Sequence, residues 1–497
     1  MTYFRSVFLL ALTSLIINFA VASEARALLV TRWSVNAQPQ AGNLECRGRM
    51  KPVLQPKLPN VDPAEFPDDA DIEEALATRQ IPGIFSQIRL APLAKASVDS
   101  PLKVAIWGDS HLAAGFFTEE LTRLTGIEAG RTRAVFLPAN MNRAGVRLPL
   151  RASCVSAQWR TEMTYTSAGA TASPGPGLVN LFSSAPGSSL EFDLRSRAGV
   201  AEVNQVRILY EVSELPSRIA VSVDDGPEKE LIVGGVSGPA ALELAANAPL
   251  SVVRIRLVEG QFRFHGLRQK PPDNLSLQLD VFGMPGATAA GWKNAAVNYL
   301  AAWFSEDHYD LVILEYGTNE GNAAPFDVDG YKQMLILAVG NVKRVFPDAA
   351  CVLIAPGDRG VLIRRSLKLK RPAAKQASEA NRQADRLAVR GAGKLSETAS
   401  DTALSHAGLF KYSQVHEQIE RIQQEVGASA GCQTWSALNA MGGRGAAYVW
   451  AREKPPLMAP DLLHFTVKGY QRLAQEFAKS IGWNADEMWT PAAVSQK

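Results

Sequence analysis

A short apolar run, Val104-Ala105-Ile106-Trp107, ends at Gly108-Asp109, and Ser110 follows before a helical pattern from Leu112 to Leu124. The run reads as a buried strand and the Gly-Asp pair as its punctuation. Similar units recur downstream. Leu275–Phe282 is a strand closed by Gly283-Met284-Pro285-Gly286, with a helix from Trp292 to Phe304. Leu311–Glu315 is a strand followed by the helix Tyr331–Val345, and Cys351–Ile354 is another strand. A helix His416–Val426 leads to a last strand, Cys432–Leu438, and Leu457–Leu463 delivers His464 to the closing amphipathic helix Val467–Ile481. Strands alternating with helices at this spacing imply an α/β domain on a parallel sheet. Its crossovers are right-handed.

Between the first and second of these units the texture changes. Residues 133–272 hold short alternating runs, Leu190–Leu194, Val206–Val212, Ile219–Val223, Leu250–Val258 and Gln261–His265. Turn residues such as Asp225-Gly226-Pro227 and Gly234-Gly235 separate them. That pattern predicts an antiparallel β-sandwich looped out of the α/β domain. Residues 28–100 are polar and rich in proline (Pro52, Pro56, Pro59, Pro63, Pro67), which reads as a tether with one short helix, Asp71–Arg79. Residues 364–410 begin with the basic run Arg364–Arg371 and continue Ala-rich and helical; the run reads as a solvated helix face or as a contact for an anionic polymer or membrane.

The beginning of the chain places it in a compartment. Arg5 precedes the apolar run Val7–Ala22, and Ala20-Val21-Ala22 or Ala25-Arg26-Ala27 offers small residues for cleavage. This is the layout of a secretory signal peptide over 1–27, with an uncleaved anchor as the alternative; no obligatory membrane span is expected after cleavage. The formal charge of +3 on 497 residues gives no argument for nucleic acid as a partner. In an exported chain, the four cysteines suggest two disulfides, for which three connectivities exist. Cys46–Cys154 with Cys351–Cys432 is the expected set, because the second pair flanks strands placed side by side. The cysteines and histidines lack metal-ligand spacing, and neither a metal nor another cofactor is expected.

Four points fit one reaction. Ser110 lies where a strand hands over to a helix, which is either a helix cap or a nucleophile lifted to the carboxyl end of a sheet. A serine hydroxyl needs a base within reach. His464 stands three residues after Asp461 in Pro460-Asp461-Leu462-Leu463-His464, a spacing that lets the carboxylate meet Nδ1–H and fix the tautomer. Acyl transfer also needs donors for the developing oxyanion. The backbone N–H of Ser110, that of Gly286 and the side-chain amide of Asn319 can supply three, although a turn glycine and a turn asparagine have plainer readings.

Taken together and in order, Gly108-Asp109-Ser110-His111, the glycine of Met284-Pro285-Gly286, Gly317-Thr318-Asn319-Glu320 and Asp461-Leu462-Leu463-His464 resemble the four blocks of the SGNH (GDSL-like) hydrolases. Glu320 stands where many members carry Asp and, on this resemblance, contributes no required group. The resemblance covers 101–131 and 273–485. It implies a flavodoxin-like three-layer α/β/α hydrolase domain over 101–132 and 273–485, with a central parallel sheet and an inserted antiparallel β-sandwich. The insertion point, and the stretch Gly431–Trp435 through Ala440–Gly443, resemble the peptidoglycan O-acetylesterase branch, whose sandwich is similar to a carbohydrate-binding module. The long insertion 364–410 departs from that pattern.

The activity so implied is removal of O-acetyl groups from a cell-wall polysaccharide, most directly peptidoglycan, by an exported periplasmic or envelope esterase. Its partner is then an O-acetylated glycan, peptidoglycan or exopolysaccharide. Two other readings stand beside it: an O-acetyltransferase of the same fold, sharing the first half-reaction, and a non-catalytic glycan-binding protein. Trp159, Tyr165 and Tyr210 of the sandwich can stack on sugars or fill its core. The sequence fixes no oligomeric state.

Overall fold

The structure, a computed structural model, describes residues 28–38, 42–45, 65–77, 100–167, 172–363 and 406–483, without the side chains of His406 and Ala407. The expected signal segment 1–27, the basic run of the 364–410 insertion and Cys46 lie outside them. Among the described residues no helix is long and apolar enough to cross a membrane.

One sheet is parallel throughout, in the order Gln433–Ser436, Ala350–Ala355, Leu311–Glu315, Leu102–Gly108, Leu277–Gly283 and the two-residue Thr132–Arg133. Leaving aside that last short strand, the five main strands follow the flavodoxin-like order 2-1-3-4-5. The strand Leu102–Gly108 has a neighbour on each side and is buried at all positions but Lys103. Its side chains alternate between two cores, as strand geometry requires. Ala105 and Trp107 join Phe282, Leu314 and Leu353 under the helices Val328–Val345 and Lys411–Ala430. Val104 and Ile106 join Ile313 and Ile354 under Phe116–Leu124 and Val467–Ile481. The last helix shows why: Tyr470, Leu473, Ala474, Phe477, Ala478 and Ile481 recur at helical spacing and are all buried. The result is the expected three-layer α/β/α unit.

The remaining strands form two further sheets. A five-stranded one, Lys229–Val233, Ser217–Val223, Val252–Glu259, Ser189–Asp193 and Ala152–Val155, is antiparallel. A seven-stranded one is antiparallel except at its edge, where Leu29–Val35 runs parallel to Gly238–Ala246. Ile208, Leu242, Phe192 and Ile255 fill the space between them. Leu209 and Ala241, on the opposite face, join the core under the parallel sheet instead. The sandwich is therefore docked, and Arg207–Glu306 (2.7 Å) and Arg268–Asp307 (3.0 Å) tie its rim to the α/β unit.

Three local expectations need correction. The N-terminal stretch, expected as a tether with one short helix, holds that helix at Asp69–Ala77 but also supplies the unexpected edge strand Leu29–Val35. Ile72 and Ala75 of that helix pack with Leu409, Phe410, Tyr448 and Leu462, so prolines nearby did not prevent an apolar face from finding a core. The helix after Ser110 is two pieces, Ser110–Ala113 and Phe116–Leu124, broken at Gly115, whose φ of 74° lies in the left-handed region. Finally, the last strand stops at Ser436, whose hydroxyl accepts the Asn439 N–H and starts a helix at Ala437. A disulfide joins Cys351 and Cys432 across these neighbouring strands. Cys154 is also disulfide-bonded, while the proposed partner Cys46 is outside the described residues.

Candidate active site

Ser110 starts its helix as the first helical residue, and the cap is Asp109, whose carboxylate accepts the His111 N–H at 2.8 Å. The serine hydroxyl is thus left for other work. Its Oγ lies 3.1 Å from His464 Nε2, and His464 Nδ1 lies 2.6 Å from Asp461 Oδ2. A carboxylate only accepts, so the histidine proton sits on Nδ1 and Nε2 faces the serine as an acceptor.

The turn carrying these two residues is rigidly built. Asp461 Oδ1 accepts the backbone N–H groups of Leu463 (3.1 Å) and His464 (2.9 Å). Burial works to raise the Asp461 carboxyl, but the His464 ring and these N–H groups prevail and hold it below the ordinary carboxylate range. Leu462 has φ of 53°, strained for a residue with a side chain, and is fully buried. What holds it there is packing: Leu462 is in the cluster with Ile72, Leu409 and Tyr448, and its carbonyl accepts the Gly360 N–H at 2.9 Å.

The other histidines are otherwise employed. Burial, then repulsion from His464, pushes His111 down to about 3, and its Nδ1 lies 3.2 Å from Tyr470 Oη. His265 is buried between Asn180 (2.7 Å) and Tyr299 (2.8 Å). His416 donates from Nδ1 to the Gly357 carbonyl at 2.7 Å. His308 is exposed at the opposite end of the Leu311–Glu315 strand.

Donors converge near Ser110 as well. Gly286 follows the strand Leu277–Gly283 with φ of 82°. Neither its N–H nor that of Ser110 has an acceptor among the described residues. Asn319 follows the strand Leu311–Glu315, but its amide is occupied. It donates to Asp109 Oδ2 (3.1 Å) and to the Ala287 carbonyl (2.9 Å), so service to an oxyanion requires exchange of one of these.

Sequence reasoning missed the acidic floor of the site. Glu315 Oε2 accepts the Asp109 N–H at 3.0 Å, which brings two buried carboxyls side by side. Burial raises Asp109 to about 6 and Glu315 well above the carboxylate range. Two carboxyls this buried and this close do not both carry full charge, and they titrate as a pair. Gly108 makes room for this pair: a Cβ there would lie 2.5 Å from Glu315 Oε2. A lone glutamate ending the apolar run Leu311–Leu314 was the available signal, because a carboxyl buried on a central strand needs a partner.

Glu320 was also undervalued. Its carboxyl accepts the N–H of Ala289 (2.9 Å) and of Gly317 (3.0 Å), and so ties the glycine loop to the asparagine loop. Burial raises it to about 7. Of the three sandwich aromatics, Trp159 and Tyr210 are core. Tyr165 instead borders the site, with its hydroxyl 3.6 Å from where a Gly286 Cβ would sit. Among the described residues no group of three or more histidine, cysteine or carboxylate side chains is placed to hold a metal ion.

No family model matches the sequence, and no curated protein matches it. Among solved structures the chain is similar to one described as a peptidoglycan O-acetylesterase in action, at 20% identity and a TM-score of 0.49, over 77% of this chain and 91% of that one. It is also similar to a Bacillus subtilis protein, at 12% identity and a TM-score of 0.27, over 66% of this chain and 90% of the other. A family two carbohydrate esterase from Cellvibrio japonicus is a third, at 12% identity and a TM-score of 0.22, over 67% and 98% of the two chains.

Proposed function

We propose that the chain is an exported serine esterase of the SGNH type that removes O-acetyl groups from a cell-wall polysaccharide, with peptidoglycan as the first substrate to test. The observation that carries this reading is the hydrogen-bonded series Ser110 Oγ, His464 Nε2 and Nδ1, Asp461 Oδ2 at 3.1 and 2.6 Å. A serine, a base and an orienting carboxylate in this geometry are what acyl transfer needs.

The steps follow from the residues. His464 takes the Ser110 proton as Oγ attacks the acetyl carbonyl, and Asp461 stabilises the imidazolium. The unpartnered N–H groups of Ser110 and Gly286 receive the oxyanion, with Asn319 as third donor once it releases one of its partners. As the acyl C–O bond to the sugar breaks, His464 gives the proton to the departing sugar oxygen, which leaves as a hydroxyl. Water, deprotonated by His464, then attacks the acetyl-Ser110 ester; the Oγ–acyl bond breaks, His464 returns the proton to Ser110 Oγ, and acetate leaves.

Support for a glycan comes from the ordered blocks that resemble the peptidoglycan O-acetylesterase branch, and from a docked sandwich whose Tyr165 borders the oxyanion glycine. The test is acetate release from O-acetylated peptidoglycan, compared with acetylated xylan and acetylated exopolysaccharide. The reading predicts the highest kcat/KM on peptidoglycan. Faster release from xylan would reassign the polymer, and release from none would remove the esterase.

A further inference from the structure

Arg359 lies just past the carboxyl end of the Ala350–Ala355 strand, wedged between the two loops that build the site. On one side its guanidinium donates to the Asn322 side-chain carbonyl, three residues beyond Asn319. On the other, the next residue, Gly360, donates its N–H to Leu462 at 2.9 Å, inside the Asp461–His464 turn. The guanidinium carbon sits 3.8 Å from the centre of the Tyr412 ring, and the Lys411 ammonium sits 4.8 Å from that same ring. Two cations therefore share one aromatic ring.

Neither cation has a carboxylate within ion-pair distance among the described residues. Arg444, by contrast, is paired with Glu417 of the helix Lys411–Ala430. Asp461 attracts Arg359 from the catalytic turn but is committed to His464. Arg359 is half-buried, and loss of water around it disfavours its charge. Its contact with Asn322 is exposed, so the guanidinium is open to a ligand from solution. Its remaining N–H groups form the planar fork that fits a carboxylate with two parallel hydrogen bonds.

We propose that Arg359, assisted by Lys411, binds a carboxylate of the acetylated glycan, so that the enzyme selects an acidic polymer. This rests on the esterase reading for its consequence in catalysis. A carboxylate held between the asparagine loop and the catalytic turn would orient the neighbouring acetyl ester over Ser110, which is positioning by remote binding. The carboxylate can belong to the lactyl or peptide part of peptidoglycan or to a uronic acid, and the chemistry at Arg359 is the same.

The experiment compares O-acetylated muropeptide glycan and an O-acetylated uronic-acid polymer with their carboxyl-methylated, neutral forms. For each pair, the ratio of kcat/KM on the acidic form to that on the neutral form is measured for wild type, Arg359→Lys and Arg359→Ala. The ratio is expected to be at least about tenfold in wild type on one of the two polymers, which identifies the source. It should fall to near one in Arg359→Ala through KM, and lie between for Arg359→Lys. Equal losses on acidic and neutral forms would make Arg359 a prop for the loops and overturn the proposal, as would an unchanged ratio. In parallel, binding of both forms to Ser110→Ala and to Ser110→Ala/Arg359→Ala is measured without turnover. A preference for the acidic form that vanishes in the double variant supports charge recognition even where no acetate is released. The same affinity in both proteins overturns it. Unimpaired acetate release by Ser110→Ala would count against the esterase reading alone.

Discussion

The side-chain amide of Asn319 donates to the carboxylate of Asp109, 3.1 Å away, so the residue beside the nucleophile orients the donor that follows the next strand. The other oxygen of the same carboxylate accepts the His111 N–H at 2.8 Å. Asn319→Ala deletes the donor and its bonds to both Asp109 and Ala287, at a folding cost of about 2–3 kcal/mol. Loss of one oxyanion donor lowers kcat roughly 10²- to 10³-fold. Steady-state kinetics beside a thermal melt should show a large rate effect while one cooperative transition persists at a lower midpoint.

Asp461→Asn tests the orienting carboxylate. An asparagine carbonyl can still accept the backbone N–H groups of Leu463 and His464, so the turn survives. Its NH2 group, if it faces Nδ1, stabilises the wrong tautomer and leaves Nε2 protonated toward Ser110. Turnover on a chromogenic acetyl ester is expected to drop roughly 10⁴-fold, with far smaller change in KM.

Much of this was legible before any coordinates. The runs at Val104, Leu277 and Leu311 are apolar because both faces of a central parallel strand are covered, and such runs announce themselves. Ser110, Gly286, Asn319 and His464 were readable because each follows such a run or sits in the final loop. Strands Val179–Ser183 and Gly238–Ala246 were missed since serine, asparagine, glycine and alanine dilute their pattern. The support given to Leu462 by Ile72 and Leu409 was out of reach altogether. It joins three separate segments of the chain, and nothing local in any of them records the contact.

His416 should make the fold acid-sensitive. Burial pushes it down to about 4 from the ordinary 6.5, so the neutral form is the one the fold accepts. The sign follows: between these values the unfolded chain binds a proton that the folded chain refuses. Stability is therefore complete above about pH 6.5 and declines as pH falls toward 4, where this residue accounts for about 3 kcal/mol. Its ring lies against Gly321, within 2.9 Å of where a Cβ would be, under the loop that carries Asn319. Urea unfolding from pH 7 to pH 4 should show a smaller decline for His416→Gln than for wild type.

The central claim is that Ser110 is the acylated nucleophile. A fluorophosphonate probe followed by peptide mapping reads this directly, with Ser110→Ala and heat-denatured protein as controls. The probe is expected on Ser110 of the native wild type, in proportion to lost acetate release, and on neither control. Labelling at another residue, or undiminished acetate release from Ser110→Ala, would contradict the account.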